Sequence, residues 1–304
     1  VSAELAEALR PDEPRTLVLK VGGSLVSDKQ SDDDLDESAL RDYAAQIADL
    51  ARAYPGRVVF VAGGGALGHG AVRDLAERNP DAVLPLTQAT FRVKWAWTKA
   101  FQAAGQRAMP LQVAALCTED DNGVSAQTAV VSRLLSEHIL PVLSGDCVVT
   151  TDGRLRIMGS DHVPGIFVAA DLAPVRVVTL TDVPGILTGP AHDSPVLPHL
   201  FPDEHVSARD LLWAPAPWDT SDAMHGKLDA LVAHARRGAE CVIAKGDRDA
   251  PDLRHLFSPL ALWPQGIPCT VISRRARRTD REGHGDHVRP LPSPPPDTDR
   301  RAGR

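Results

Sequence analysis

The chain has 304 residues, a hydrophobic fraction of 43% and a formal net charge of −7, enough apolar material for a large buried core. With a pI of about 5.9 it has no general attraction for nucleic acid or anionic lipid, so neither is an expected partner. No stretch reaches the roughly 20 apolar residues that cross a bilayer, the start VSAELAEALRPDEPR lacks a secretory pattern, and Cys117, Cys147, Cys241 and Cys269 form no C-x-x-C pair, so a cytoplasmic location with buried reduced thiols and no zinc site is expected.

Taken in chain order, Thr16 to Val21 (TLVLKV) is a short apolar run around one lysine that stops at Gly22-Gly23. It reads as a buried strand ending in a tight turn. A polar, acidic loop spans Asp28 to Asp36, and Leu35 to Ala53 has helical periodicity through Leu40, Tyr43, Ile47 and Leu50. A second buried strand, Arg57 to Ala62, runs into Gly63-Gly64-Gly65. Strand, helix, strand and glycine turn open a βαβ unit, which predicts a mainly parallel sheet with helices on both faces. Helices are predicted for Ala89 to Ala104 and Ser125 to Glu137. Short strands are predicted for Ile139 to Leu143 and Arg154 to Met158, around a turn at Asp152-Gly153.

The pattern renews itself after Ala170. Val175 to Leu180 is a buried strand, TDVPGIL turns at Pro184-Gly185, Met224 to Arg237 is a helix, and Glu240 to Ala244 and Pro268 to Ile272 are the last strands. The fold class is therefore a three-layer α/β/α sandwich with a mainly parallel central sheet. After an extension over residues 1–14, one domain is expected over 15–273, as two lobes, about 15–165 and 166–273. Residues 274–304 are rich in proline and charge and predict a disordered tail.

Several residues stand where chemistry is possible. Lys20 ends a strand just before Gly22-Gly23-Ser24. It is either a lysine that snorkels to water or an ammonium at the C-terminal edge of a parallel sheet, where open α/β folds bind ligands. The glycines allow phosphate to approach backbone N–H groups. The string matches neither GxxxxGK[ST] nor GxGxxG. Gly63-Gly64-Gly65, with Gly68 and His69, forms a second cradle before a helix start. Gly159-Ser160-Asp161 follows a strand and can act as a helix cap or orient lysines. Lys227 lies near a helix N-terminus, where bound phosphates offset the unfavourable dipole. Two anions brought to reacting distance need such lysines and N–H groups, so the set outlines a phosphoryl-transfer site.

KVGGSL, GGGALGH, SGD at Ser144 to Asp146, GSD at Gly159, TLTDVPGIL and AMHGK occur in this order, and together they resemble the motifs of the amino-acid kinase family. The GGG-x-x-GH form with His69, and strings such as GHGAVRDL, TQATFRVKWAW, PLQVAALCT and GKLDALVAHARRGAEC, are similar to the branch that contains isopentenyl phosphate kinases and fosfomycin kinase. This resemblance implies a kinase using ATP and Mg²⁺, with a small anionic phosphonate as acceptor and a homodimer as the active unit. It implies that the first lobe binds the acceptor and the second the nucleotide. Catalytic roles fall on Lys20, Lys29, Asp161 and Lys227, and acceptor binding on His69, Gly64, Gly65, Ser160 and Ser221. Nucleotide contacts fall on Gly22, Gly23, Ser24, Thr181, Asp182, Gly185 and Lys227. Mg²⁺ would be held mainly by the nucleotide, so no protein ligand for it is named.

The chain departs from the resembled pattern at Ser221, Asp222, Gly159 and Leu67, each of which would reshape the pocket. Two other readings remain at this point. One is an isopentenyl phosphate kinase, which needs an apolar tail pocket that Phe91, Trp95, Trp97 and Phe101 would supply unless they belong to the core. The other is a non-catalytic nucleotide-sensing module, for which Asp222 beside the phosphate-binding turn is the local argument.

Overall fold

The computed structural model describes residues 14–27, 35–65, 67–68, 83–120, 123–168, 172–189, 194–212, 223–250, 252–264 and 266–274. Its strands are β1 (Thr16–Val21), β2 (Val58–Ala62), β3 (Ala108–Pro110), β4 (Cys117–Asp120), β5 (Gly123–Ala126), β6 (Leu140–Ser144), β7 (Asp146–Thr150), β8 (Leu155–Met158), β9 (Val175–Thr181), β10 (His199–Leu200), β11 (Glu240–Lys245) and β12 (Cys269–Ile272). The helices are α1 (Glu37–Ala53), α2 (Val83–Ala103), α3 (Val113–Leu116), α4 (Ala129–Ser136), α5 (Gly165–Val168), α6 (His205–Arg209) and α7 (Ala223–Arg236).

Eight strands form the main sheet in the order β10–β12–β11–β9–β1–β2–β6–β3, and β5–β4–β7–β8 form a second, four-stranded sheet. Every pairing in the main sheet is parallel except β11 with β12. Alternation along β1 sorts its side chains between two cores. Leu17, Leu19 and Val21 join Tyr43 and Ile47 of α1 and Trp97 and Phe101 of α2 on one face. Val18 joins Val131 of α4, Phe167 of α5 and Leu228 and Leu231 of α7 on the other, together with Cys117, Val148 and Met158 of the second sheet. The molecule is thus layered α/β/α, and central β1 is buried along its whole length. Among the described residues no helix is long and apolar enough to cross a membrane.

Two expectations about local structure need correction. The helix expected over Ser125–Glu137 begins at Ala129, because residues 123–126 pair antiparallel with β4. Four residues are too few to display a period of two, and Val124 and Ala126 gain their burial only from the packed core. Strands β3, β4 and β7 were not anticipated, because each is only three to five residues long and too short to display a period of two. Smaller shifts occur at helix ends. The first helix starts at Glu37 because Asp36 caps it, its carboxylate accepting from Ala39 N at 2.9 Å. Three of the cysteines are buried, while Cys269 is half-buried.

Candidate active site

Lys20 is the fifth residue of β1 and lies in register with Val61 of β2 and Thr179 of β9. The two-residue period puts it on the same face as Val18, towards α7, and it is only 2% exposed. A buried ammonium needs a counter-charge. It finds Asp161, on the turn after β8, whose Oδ1 accepts from Lys20 Nζ. Lys227 Nζ, in the second turn of α7, stands 3.6 Å from the same Oδ1. These three groups come from residues far apart in the chain and carry a net charge of +1. Burial alone would raise the pKa of Asp161, but Lys20 and then Lys227 hold its carboxyl well below the usual carboxylate range. Asp161 is therefore a permanent anion that fixes two cations.

The two glycine turns meet beside this ion pair. A Cβ on Gly23 would run into the backbone N and Cα of Gly65, and one on Gly63 into the N of Gly23. Gly65 also has φ +57°, and a Cβ there would come within 2.5 Å of Ser27 Oγ. Only glycine allows two backbones this close. Gly22 donates to Leu180 O at 2.8 Å and Gly63 donates to Val21 O at 2.8 Å, so both turns emerge in line with the sheet. Ser24 lies in the 3-10 turn Gly23–Leu25. Gly64 packs next to Gly68, 3.2 Å from a Cβ position to its Cα.

Other expected residues border the same edge. Gly145 lies against Ser160, since a Cβ there would be 2.9 Å from Ser160 N. Thr181 ends β9 and donates to Asp182 Oδ1 at 2.9 Å, with its hydroxyl 3.5 Å from the Cβ position of Gly22. Gly185 packs against β12, its φ of +153° and the nearby Thr270 Oγ1 leaving no room for a side chain. The structure therefore assembles Lys20, Asp161, Lys227, Ser160, Thr181 and the two glycine turns at one sheet edge. Lys29, His69 and Ser221, with Asp222, lie outside the described residues, as does the tail beyond Arg274.

Three contributors were not singled out from the sequence. His234, on α7, donates from Nε2 to the Asp161 carbonyl at 2.9 Å. Burial pushes its pKa down to about 4, so it is a neutral donor that ties Asp161 to α7. A signal was present in its position seven residues after Lys227, on the same helix face. Lys94, fully buried on α2, and the half-buried Gln112 that accepts from it at 2.6 Å were also missed; an ionisable residue at a core position of an apolar helix was the available clue.

The model of the amino acid kinase family matches residues 15–245. The chain is 30% identical over 224 residues to an isopentenyl phosphate kinase of Haloferax volcanii, covering 71% of this chain and 87% of that protein. It is 27% identical to an isopentenyl phosphate kinase of Methanothermobacter thermautotrophicus, covering 75% and 90%. A solved isopentenyl phosphate kinase superposes with a TM-score of 0.61 at 22% identity, covering 76% of this chain and 91% of the other.

Proposed function

This chain belongs to the amino acid kinase family, and from that premise we propose that it transfers the γ-phosphoryl group of ATP to an ionised oxygen of a small phosphonate, either fosfomycin or a related hydroxyalkylphosphonate. The observation that carries this reading is the meeting of Lys20 and Lys227 on Asp161 beside two touching glycine turns. Two polyanions repel each other as they approach, and a net positive cluster beside backbone turns that leave room for phosphate lowers that barrier.

In the transfer, an acceptor oxygen forms a bond to the γ-phosphorus while the bond from that phosphorus to the β–γ bridging oxygen breaks and ADP departs. A phosphonate oxygen is already ionised near neutral pH, so no proton has to be removed. Asp161 is then an anchor for the lysines and not a base, which agrees with its depressed pKa. An alcohol acceptor would demand a base. Lys20 neutralises the transferring group, Lys227 and Lys29 hold the nucleotide phosphates, and His69, Ser160 and Ser221 receive the acceptor. Mg²⁺ supplies further charge neutralisation from the nucleotide side. The acceptor lobe is assigned to about residues 15–165 and the nucleotide lobe to about 166–273, in a cytoplasmic homodimer.

Isopentenyl phosphate is the second acceptor to weigh, because relatives of that name match most of the chain. Against it, Trp97 and Phe101 are fully buried and packed on Phe60. Phe91 and Trp95 are about half exposed and stack on each other. Trp97 and Phe101 are therefore committed to the core and do not line a hydrocarbon pocket.

Phosphorus NMR of the enzyme with ATP, Mg²⁺ and separate acceptors tests the reading. Fosfomycin, 1,2-dihydroxyethylphosphonate and 2-hydroxypropylphosphonate are compared with isopentenyl phosphate. A new phosphonate–phosphate anhydride resonance together with ADP is expected. Turnover of isopentenyl phosphate alone moves the enzyme to that acceptor, and no turnover at all favours a nucleotide-sensing module.

A further inference from the structure

A second ammonium is buried away from Lys20. Lys94, in the middle of α2, has no exposed surface and donates to Gln112 Oε1 at 2.6 Å. Gln112 is the acceptor it has among the described residues, and an ammonium carries three N–H donors. Since Lys94 can only donate, Gln112 must turn its oxygen towards it. That orientation leaves Gln112 Nε2 buried and without a partner among the described residues.

The counter-charge is Asp146, which is itself buried and already engaged. Its Oδ1 accepts from Cys147 N at 2.9 Å and from Thr87 Oγ1 at 3.4 Å, and its Oδ2 from Ala114 N at 3.1 Å. Thr87, Thr90 and Lys94 recur at i, i+3 and i+7, so one face of α2 is polar where the neighbouring face is core. Buried donors are normally satisfied. Several unspent donors at one place call for a ligand rich in acceptor oxygens.

Their location fits the acceptor. Asp146 directly follows Gly145, which is packed on Gly159 and Ser160, next to Asp161. Ser144 Oγ donates to Ala62 O at 2.9 Å, at the root of the Gly63–Gly65 turn. Helix α2 packs on β2, β6 and β3, whereas α7, which carries Lys227, packs on β11 and β12. Lys94 on α2 and Lys227 on α7 thus lie on opposite sides of β1 in the sheet order.

We propose that Lys94 and Gln112 are a specificity-determining pair that donates to an oxygen on the carbon skeleton of the acceptor, a hydroxyl, epoxide or carbonyl oxygen. This rests on the phosphonate reading above and narrows it to oxygenated phosphonates. Buried donors reject an analogue that lacks the oxygen, because they are then left unpaired on binding.

The test compares 2-hydroxypropylphosphonate with propylphosphonate, at saturating ATP and Mg²⁺, in wild type, Lys94→Met and Gln112→Leu. Wild type is expected to favour the hydroxylated acceptor in kcat/KM by at least about tenfold. In both variants that ratio falls towards one, mainly through the KM of the hydroxylated acceptor, and the KM of ATP does not follow. Thermal melting identifies folded variants. If Lys94→Met does not fold, Gln112→Leu, which removes no charge, decides alone. An unchanged ratio in a folded variant, or no preference in wild type, overturns the pair and leaves phosphonate kinase activity standing. Turnover of isopentenyl phosphate alone overturns the phosphonate reading, and the pair with it.

Discussion

Asp161 acts by staying ionised. Replacing Lys20 with alanine removes the ammonium beside the transferring group and leaves the carboxylate with Lys227. A loss of turnover of about 10²–10³ is expected, in line with the removal of one preorganised charge donor, and steady-state kinetics on a variant shown to be folded will measure it. Acid stability follows from the sign of the Asp161 shift. Its folded pKa lies below the roughly 3.9 of an unfolded aspartate, so its stabilisation is complete above about pH 4 and is lost as pH falls towards the folded value. Melting temperatures of wild type and Asp161→Asn should therefore differ most near pH 6, and the difference should begin to shrink as pH falls below about 4. For Lys94 the shift is the opposite kind: burial pushes its pKa down to about 8, against the pull of Asp146. The folded state then releases its proton before the unfolded one, so this residue adds stability as pH rises from about 8 to 10. The pH-dependent increment should disappear in Lys94→Met.

Among the elements, the two glycine turns depend on backbone contact and not on flexibility. Gly23→Ala places a methyl group on the Gly65 backbone, and neither turn can move without dragging its strand, β1 or β2. The variant is expected to lose several degrees of melting temperature and most of its activity. At Gly68 an added Cβ meets nothing within 4 Å, so Gly68→Ala should melt within about 2 °C of wild type. Comparable losses in both variants would show that the close approach is not what glycine provides there. The turns were legible in the sequence as glycines after buried strands. That they touch each other was not, because β1 and β2 become neighbours only through a crossover by α1.

At the scale of the whole molecule, Arg176 joins the sheet to the segment that follows β11. It is 1% exposed, pairs with Glu240 at 2.5 Å and donates to the carbonyls of Leu256 at 2.6 Å and Ser258 at 2.7 Å. Its guanidinium also lies 5.9 Å from the centre of the Trp263 ring. Removing one partner of a buried ion pair costs about 3–5 kcal/mol, which for a chain of this size is a fall of about 10 °C in melting temperature. Arg176→Ala should show that fall. Its kcat at 25 °C should stay within about twofold of wild type, because the residue is at the opposite end of β9 from Thr181.

The sequence by itself determined the α/β class, the strands that end in glycine turns and the residue types needed for phosphoryl transfer, because period-two and period-3.6 patterns and chain-breaking glycines are local properties. It also carried the motif order by which Lys20, Asp161 and Lys227 were assigned to one site. Only the tertiary structure decided that one carboxylate serves both lysines, that His234 fixes it from α7, and that Trp97 and Phe101 belong to the core. The second sheet and the unspent donors of Lys94 and Gln112 were likewise invisible, because hydrogen-bond partners and burial come from segments that meet only when the chain has folded.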